Sequence, residues 1–304
     1  MKTYHKNNPQ VHVGHGHKAK KSMGQNFLKS QEALRTMCSA GGVCDKDIIL
    51  EIGPGKGALT EKLLEKAKCV IAIEKDRELI EILKEKFANE IKSGKLILIE
   101  GDILRFNLLE EFLKFFSGPR TREDEGPDHS KNLKTPRFKY KIIANIPYNI
   151  TGAIFKKFLS EEIQPERMVL LIQKEVAERI VSRDGKESIL SLSVKAYGIP
   201  KYIMKVHKRF FTPSPKVDSA ILAITNISKG NFKTNTEENN FFNIIKTGFA
   251  HKRKVLRKNL EIIEKNRGGI DNIFEKLKID PKTRAEDIKI EKWLEISNNL
   301  FTKI

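Results

Sequence analysis

The 304-residue chain has one Trp, three Cys and 11 Pro, and no apolar run near the roughly 20 residues that a membrane-crossing helix needs. That absence excludes a spanning segment, and the first 21 residues hold no apolar stretch of signal-peptide length. Three cysteines (Cys38, Cys44, Cys69) are an odd number without paired metal-ligand spacing. They read as reduced residues of a cytoplasmic protein, with neither a disulfide framework nor a metal centre. Acid is also scarce: 39 Asp and Glu face 57 Lys and Arg, a formal charge of +18. Such a surplus points to a polyanionic partner or to a lysine-rich surface. Charged residues at 32%, hydrophobic residues at 39% and only 19 Gly exclude a disordered or collagen-like chain. The length suits one large domain, or a large and a small one.

What is present is ordered along the chain. Residues 1–21 carry five Lys, four of the seven His and no acid, which reads as a basic, mobile arm. His12, His15 and His17 lack a Cys or carboxylate to complete a metal site. From Ile48 onward, short apolar runs (Ile48 to Ile52, Cys69 to Glu74, Leu96 to Glu100, Lys141 to Asn145, Met168 to Gln173) alternate with helical periods. Five such alternations predict a doubly wound, Rossmann-like α/β sheet of parallel strands. Lys201 to Val206 and Val217 to Ile224 are separated by a loop alone and predict an antiparallel pair finishing that sheet. Ser117 to Arg137 is polar, holds three Pro and has no period, so it reads as an exposed insertion. After about Asn226 only helical periods remain. A boundary near Ser228 to Thr236 would divide a domain over residues 22–228 from a small all-helical domain over 229–304.

Glu51-Ile52-Gly53-Pro54-Gly55-Lys56-Gly57 follows the first strand of the sheet and opens a helix. Glycine lets the chain turn sharply and lets a ligand approach the backbone. Glu74 ends the next strand, where a carboxylate can take both hydroxyls of an adenosyl ribose. Turns of this kind serve NAD, FAD and S-adenosylmethionine. The GxGxG spacing and the acid Glu51 favour the last, because a cationic sulfonium tolerates carboxylates that would repel a pyrophosphate. Asp102, in Gly101-Asp102-Ile103 after the third strand, is placed either to accept from an adenine amino group or to cap a turn.

Asn145-Ile146-Pro147-Tyr148 lies at the carboxyl end of the fourth strand, the edge where open α/β sheets bind ligands. An exocyclic adenine amine is a poor nucleophile because its lone pair is delocalised into the ring. A catalyst must accept its two N–H groups and turn the lone pair toward the methyl. The Asn145 side-chain oxygen and a backbone carbonyl held by Pro147 supply two acceptors. Tyr148 can stack on the purine.

Together, GQNFL (Gly24 to Leu28), LEIGPGKGALT (Leu50 to Thr60), IEKD (Ile73 to Asp76), GDI (Gly101 to Ile103), NIPYNI (Asn145 to Ile150), QKEVAERI (Gln173 to Ile180) and FFTPSPKVDSAI (Phe210 to Ile221) resemble the ribosomal RNA adenine N6,N6-dimethyltransferases. KRKVLRKNL and RAEDI extend the resemblance through the last helices. It implies a class I methyltransferase fold, S-adenosylmethionine as cofactor, and dimethylation of two adjacent adenosines near the 3′ end of small-subunit ribosomal RNA. It further implies a monomer acting on a pre-30S particle. Asn26 and Leu28 resemble cofactor contacts from a segment folding over the methionine end. Gly53, Gly55, Glu74, Asp102 and Ile103 resemble the remaining contacts, and Asn145 is shared by cofactor and target. Pro147 and Tyr148 complete the target-base site. Phe211 resembles a second aromatic that sandwiches a flipped base, with Phe210 the competing ring.

Two basic clusters suit an RNA backbone: Lys205, Lys208 and Arg209 before the Phe211 loop, and Lys252, Arg253, Lys254, Arg257 and Lys258, expected on one helix. Three alternatives remain: the related large-subunit methyltransferases of macrolide resistance, a non-catalytic RNA-binding assembly or transcription factor, and a nicotinamide-dependent reductase.

Overall fold

The computed structural model describes residues 19–20, 23–108, 110–111, 139–264 and 269–301. The His-rich part of the arm and the segment 117–137 lie outside these residues. The described residues form nine strands: β1 (Phe27–Leu28), β2 (Ile48–Ile52), β3 (Cys69–Glu74), β4 (Leu96–Glu100), β5 (Tyr140–Asn145), β6 (Arg167–Gln173), β7 (Ile199–Val206), β8 (Phe211–Thr212) and β9 (Ser219–Thr225). Seven of them make one sheet in the order β4-β3-β2-β5-β6-β9-β7. Strands β2 to β6 run parallel, and β9 inserts antiparallel between β6 and β7. The five parallel strands and the antiparallel finish are those the apolar runs predict. β5, β6 and β7 begin one or two residues earlier than the runs suggest. Pro200 is accommodated because β7 is an edge strand, where a missing N–H costs no ladder bond.

Alternate residues of the parallel strands feed two cores. Ile49, Val70, Ala72, Ile143 and Val169 pack with helices α1 (Gln31–Gly41) and α2 (Ala58–Leu64). Leu50, Ile71, Ile142 and Leu170 face the other way, toward the helix α5 (Thr151–Ser160) that buries Phe155 and Phe158. Between them, α3 (Arg77–Lys86) and α4 (Ala88–Lys92) cover β4. The helix ends are specified locally. Ser30 accepts from the Ala33 N–H to start α1, Gly42 at φ 55° closes it, and Asp76 accepts from the Glu78 N–H to start α3.

α6 (Lys174–Ile180) and α7 (Ile189–Lys195) follow β6, and four helices follow β9: α8 (Asn235–Gly248), α9 (Leu256–Glu264), α10 (Ile270–Lys276) and α11 (Ile290–Phe301). The change from strand to helix falls where the sequence suggests a boundary, yet the apolar core runs through it without a break. Tyr197 stacks on Phe242 at 5.9 Å and its hydroxyl hydrogen-bonds the Glu238 carboxylate. The only tryptophan, Trp293, is fully buried against Phe249. A Cβ on Gly248 would come within 2.3 Å of that indole, so the end of α8 is shaped by close approach. Buried Glu187 adds a polar tie: its carboxylate holds Lys195 and accepts from Ser191, while its N–H donates to the Glu286 carbonyl. Among the described residues no helix is long and apolar enough to cross a membrane.

Candidate active site

A cavity of about 570 Å³ opens at the carboxyl ends of β2, β3 and β5. Gly53 and Gly55 form one wall, Glu74, Asp102 and Ile103 a second, and Asn145, Pro147 and Tyr148 a third. Asn26 and Leu28 also line it. These ten expected residues therefore share one cavity, although they come from five separate stretches of chain.

The glycine turn is held from within. The Gly53 N–H donates to the Ile73 carbonyl, the Gly55 N–H to Glu74 Oε2 at 3.1 Å, and the Gly57 N–H to the Pro54 carbonyl. A Cβ on Gly53, at φ 66°, would meet nothing within 4 Å, so this residue leaves open space for a ligand. Gly57 is constrained differently, since a Cβ there would lie 2.5 Å from the Phe87 ring. All three glycine N–H groups are thus spent inside the protein, leaving no phosphate cradle at these positions.

The acids explain what the turn suits. Glu74 is buried, and its Oε1 accepts from the Lys75 and Asp76 N–H groups at 2.9 Å each. Burial nonetheless raises its pKa, against those backbone bonds. Glu51 is 1% exposed, and burial pushes its carboxyl up to about 8, with Thr60 opposing the shift and the Glu74 charge adding to it. Its Oε2 is a buried polar atom with no hydrogen-bond partner among the described residues. The Glu74 carboxyl and the absence of a free N–H at Gly53, Gly55 and Gly57 fit a hydroxyl-bearing ligand without a phosphate, such as S-adenosylmethionine, and disfavour a pyrophosphate. Asp102 performs the turn-capping role and a second one: Oδ1 accepts from the Leu104 N–H at 3.0 Å while Oδ2 pairs with Lys75 at 2.9 Å. The Lys75 bond, then the Leu104 bond, hold its carboxyl below the usual range.

On the third wall, Asn145 Nδ2 donates to the Asn26 carbonyl at 3.1 Å, which joins the N-terminal segment to β5 and leaves Oδ1 as the acceptor. The Pro147 carbonyl is taken by the Ile150 N–H, so the backbone carbonyl available beside it belongs to Ile146. Tyr148 is half-buried, and its hydroxyl lies 2.6 Å from Ser219 Oγ.

Three expectations need correction. Phe211 does not line the cavity: it is 3% exposed, because the β1–β8 ladder sets it opposite Leu28 and turns its ring into the core. The half-buried ring on that loop is Phe210, with Arg209 over its face at 5.1 Å. Lys252, Arg253 and Lys254 sit in the turn before α9, not on it, and that turn is tied by Asn259 Nδ2 donating to the Gly248 and His251 carbonyls. Arg257 is engaged by both Asp271 oxygens, whereas Lys252, Arg253, Lys254 and Lys258 are exposed. The end of the basic arm is also held: Lys20 Nζ pairs with Asp76 at 2.7 Å and with Glu78 at 3.0 Å. Gln25 Nε2 donates to the other Asp76 oxygen at 2.8 Å, so one buried acid clasps a segment that lines the cavity.

Sequence reasoning passed over Lys75, Asp76, Gln25 and Ser219. Each stands inside a motif string already quoted, but the partner of each is distant in the chain.

The comparisons agree with this architecture. A ribosomal RNA small subunit methyltransferase A of Dehalococcoides mccartyi is 36% identical over 281 residues, covering 92% of this chain and 88% of its own. Among solved structures, a dimethyladenosine transferase from Plasmodium falciparum superposes with a TM-score of 0.68 at 26% identity, covering 89% of this chain and 95% of the other. The 23S rRNA methyltransferase ErmE gives 0.69 at 20% identity, covering 90% and 99%, and shares the class I methyltransferase fold. The family model for ribosomal RNA adenine dimethylase matches residues 16–302, and the chain belongs to that family.

Proposed function

We propose that this methyltransferase dimethylates the N6 amines of two adjacent adenosines near the 3′ end of small-subunit ribosomal RNA, using S-adenosylmethionine. The observation that carries the reading is one cavity lined both by Gly53, Glu74 and Asp102 and by Asn145 to Tyr148. The small-subunit assignment follows the 36% identical relative, against 20% for the 23S enzyme. Intact Asn145 and Tyr148 weigh against a non-catalytic RNA-binding role.

Glu74 takes the ribose hydroxyls, Asp102 the cofactor's adenine amine, and Asn26 and Leu28 cover the methionine end. Bound there, S-adenosylmethionine supplies an electrophilic methyl group. Asn145 Oδ1 and the Ile146 carbonyl accept the two N–H groups of the target amine, so its lone pair is directed at the methyl. Pro147 fixes the direction of that carbonyl. Tyr148 stacks on the purine, which must leave its helix to reach the cavity. A methylated amine loses its proton readily, so no strong base is required. Lys208, Arg209, Lys252, Arg253, Lys254 and Lys258 contact the RNA backbone. The protein acts as a monomer, in the cytoplasm, on a pre-30S particle.

Incubation with pre-30S particles and labelled S-adenosylmethionine, followed by nucleoside mass spectrometry, is expected to give N6,N6-dimethyladenosine at two adjacent positions. Absence of transfer to any small-subunit substrate sinks the reading. Tyr148→Ala should reduce transfer by at least roughly a hundredfold while RNA affinity is kept.

A further inference from the structure

Ser219 opens β9 with no exposed surface, beside the cavity yet outside every role assigned above. Its backbone is fixed on both sides, opposite Gln173 of β6 and Val206 of β7. The preceding residue tightens the joint: the Asp218 carbonyl accepts from the Lys174 N–H at 3.0 Å, and its Oδ1 accepts from the Lys208 N–H at 2.9 Å. Ser219 Oγ is therefore a stationary point at the start of a strand paired on both sides. Tyr148, by contrast, starts a one-turn 3₁₀ helix (Tyr148–Ile150) and is half-buried. Among the described residues its hydroxyl has one hydrogen-bond partner, Ser219 Oγ at 2.6 Å.

We propose that Ser219 is a positioning residue for methyl transfer: its hydroxyl tethers the far end of the Tyr148 ring and fixes the axis of the ring on which the target adenine stacks. The proposal rests on Tyr148 being the stacking surface. A tyrosine held only at Cβ turns about two torsions, and the second is broad. Holding the phenol oxygen as well fixes the long axis of the ring through the first torsion, while the second turns about that axis and leaves the oxygen in place, so the ring is already positioned when the base arrives. Burial raises the Tyr148 pKa, which keeps the phenol neutral and able to share a proton with Oγ at working pH.

The test compares Ser219→Ala, Tyr148→Phe and the double variant, measuring kcat, the KM for the small-subunit particle and affinity for S-adenosylhomocysteine. Ser219→Ala removes one oxygen without opening a large void, and Tyr148→Phe keeps the ring but releases it. Each single change is expected to lower kcat roughly tenfold with KM and cofactor affinity within about twofold, and the double variant to be no worse than either single one. Unchanged kcat in either single variant, or losses that multiply in the double variant, overturns the tether. Should Ser219→Ala fail to fold, Tyr148→Phe decides alone, with wild-type kcat overturning the proposal. Tyr148→Ala separates the two claims. If it is inactive while Ser219→Ala and Tyr148→Phe are fully active, the tether falls and the stacking role stands; if it is fully active, the stacking role itself falls.

Discussion

On the glycine-turn side of the cavity the acids Glu51 and Glu74 are buried, and Glu74 is wrapped by three backbone N–H groups. Outside the cavity lining, the cations Lys208, Arg209, Lys252, Arg253, Lys254 and Lys258 are exposed, and none forms an ion pair among the described residues. On the first side the carboxyls are held out of water, at a cost in folding stability that appears as they ionise, and serve a small, defined ligand. Outside the lining, charge stays in water and is discounted by salt until a polyanion displaces its counterions. The difference predicts that substitutions on one side register in stability and pH dependence, and on the other in salt dependence.

The largest effect is expected from Glu51→Gln, because it acts where solvent does not screen. The carboxyl stands near 4.5 in the unfolded chain and is pushed up to about 8 in the folded one. Below 4.5 both states are protonated and the group is neutral to stability. As pH rises toward 8 the unfolded chain ionises first, so the folded state loses up to about 1.4 kcal/mol per pH unit from this group. Glutamine cannot ionise. The gap in thermal or denaturant stability between Glu51→Gln and wild type should therefore widen in the variant's favour from pH 5 to pH 8, reaching several kcal/mol. A gap that does not change with pH would mean that Glu51 is ionised in the folded protein. Lys86 and Glu74 act on the same carboxyl in opposite directions, so the measurement reads their sum.

The second effect belongs to the cations outside the lining. Replacing Lys252, Arg253, Lys254 and Lys258 by Gln should lower RNA affinity by about two orders of magnitude at 0.15 M salt. The slope of log K against log salt should become shallower by about 3, since each phosphate contact contributes roughly 0.7 to 0.9. Affinity for S-adenosylhomocysteine should stay as it was. If the salt slope is unchanged, the turn before α9 does not touch RNA.

How far these features were legible depended on whether their cause is local. β2, β3 and β4 match their apolar runs residue for residue, because a parallel strand buried on both faces leaves a continuous run and a glycine or polar break. The Gly53 turn and Glu74 were readable for the same reason. Phe211 was misplaced because β8 is two residues long, too short to leave a period, and its parity is set by Leu28, 183 residues away. KRKVLRKNL carries helical spacing through Lys252 to Lys254, yet no capping residue marks the true start at Leu256, so turn and helix read alike. The Asp76 clasp on Lys20 and the Ser219 contact to Tyr148 span 56 and 71 residues, and nothing in either neighbourhood announces the partner.

The smallest effect sharpens the comparison within a single pair of neighbours. Arg257 and Lys258 are adjacent cations that composition cannot tell apart. Arg257 is spent on Asp271 through Nε and Nη2, with side chains 37% and 62% exposed, while Lys258 has no such partner among the described residues. An ion pair this open is worth at most about 1 kcal/mol, so Arg257→Gln should alter stability only slightly. It should also alter RNA affinity by less than about twofold at 0.15 M salt, whereas Lys258→Gln should weaken it about fourfold, the share of one phosphate contact. Asp271→Asn runs the comparison backwards. It removes the Asp271 carboxylate from beside the guanidinium without adding a cation, and it should tighten RNA binding and steepen the salt slope by up to about 0.9. Equal losses from Arg257→Gln and Lys258→Gln would show that the pair with Asp271 opens on the RNA at negligible cost, and that the internal salt bridge does not sort these cations.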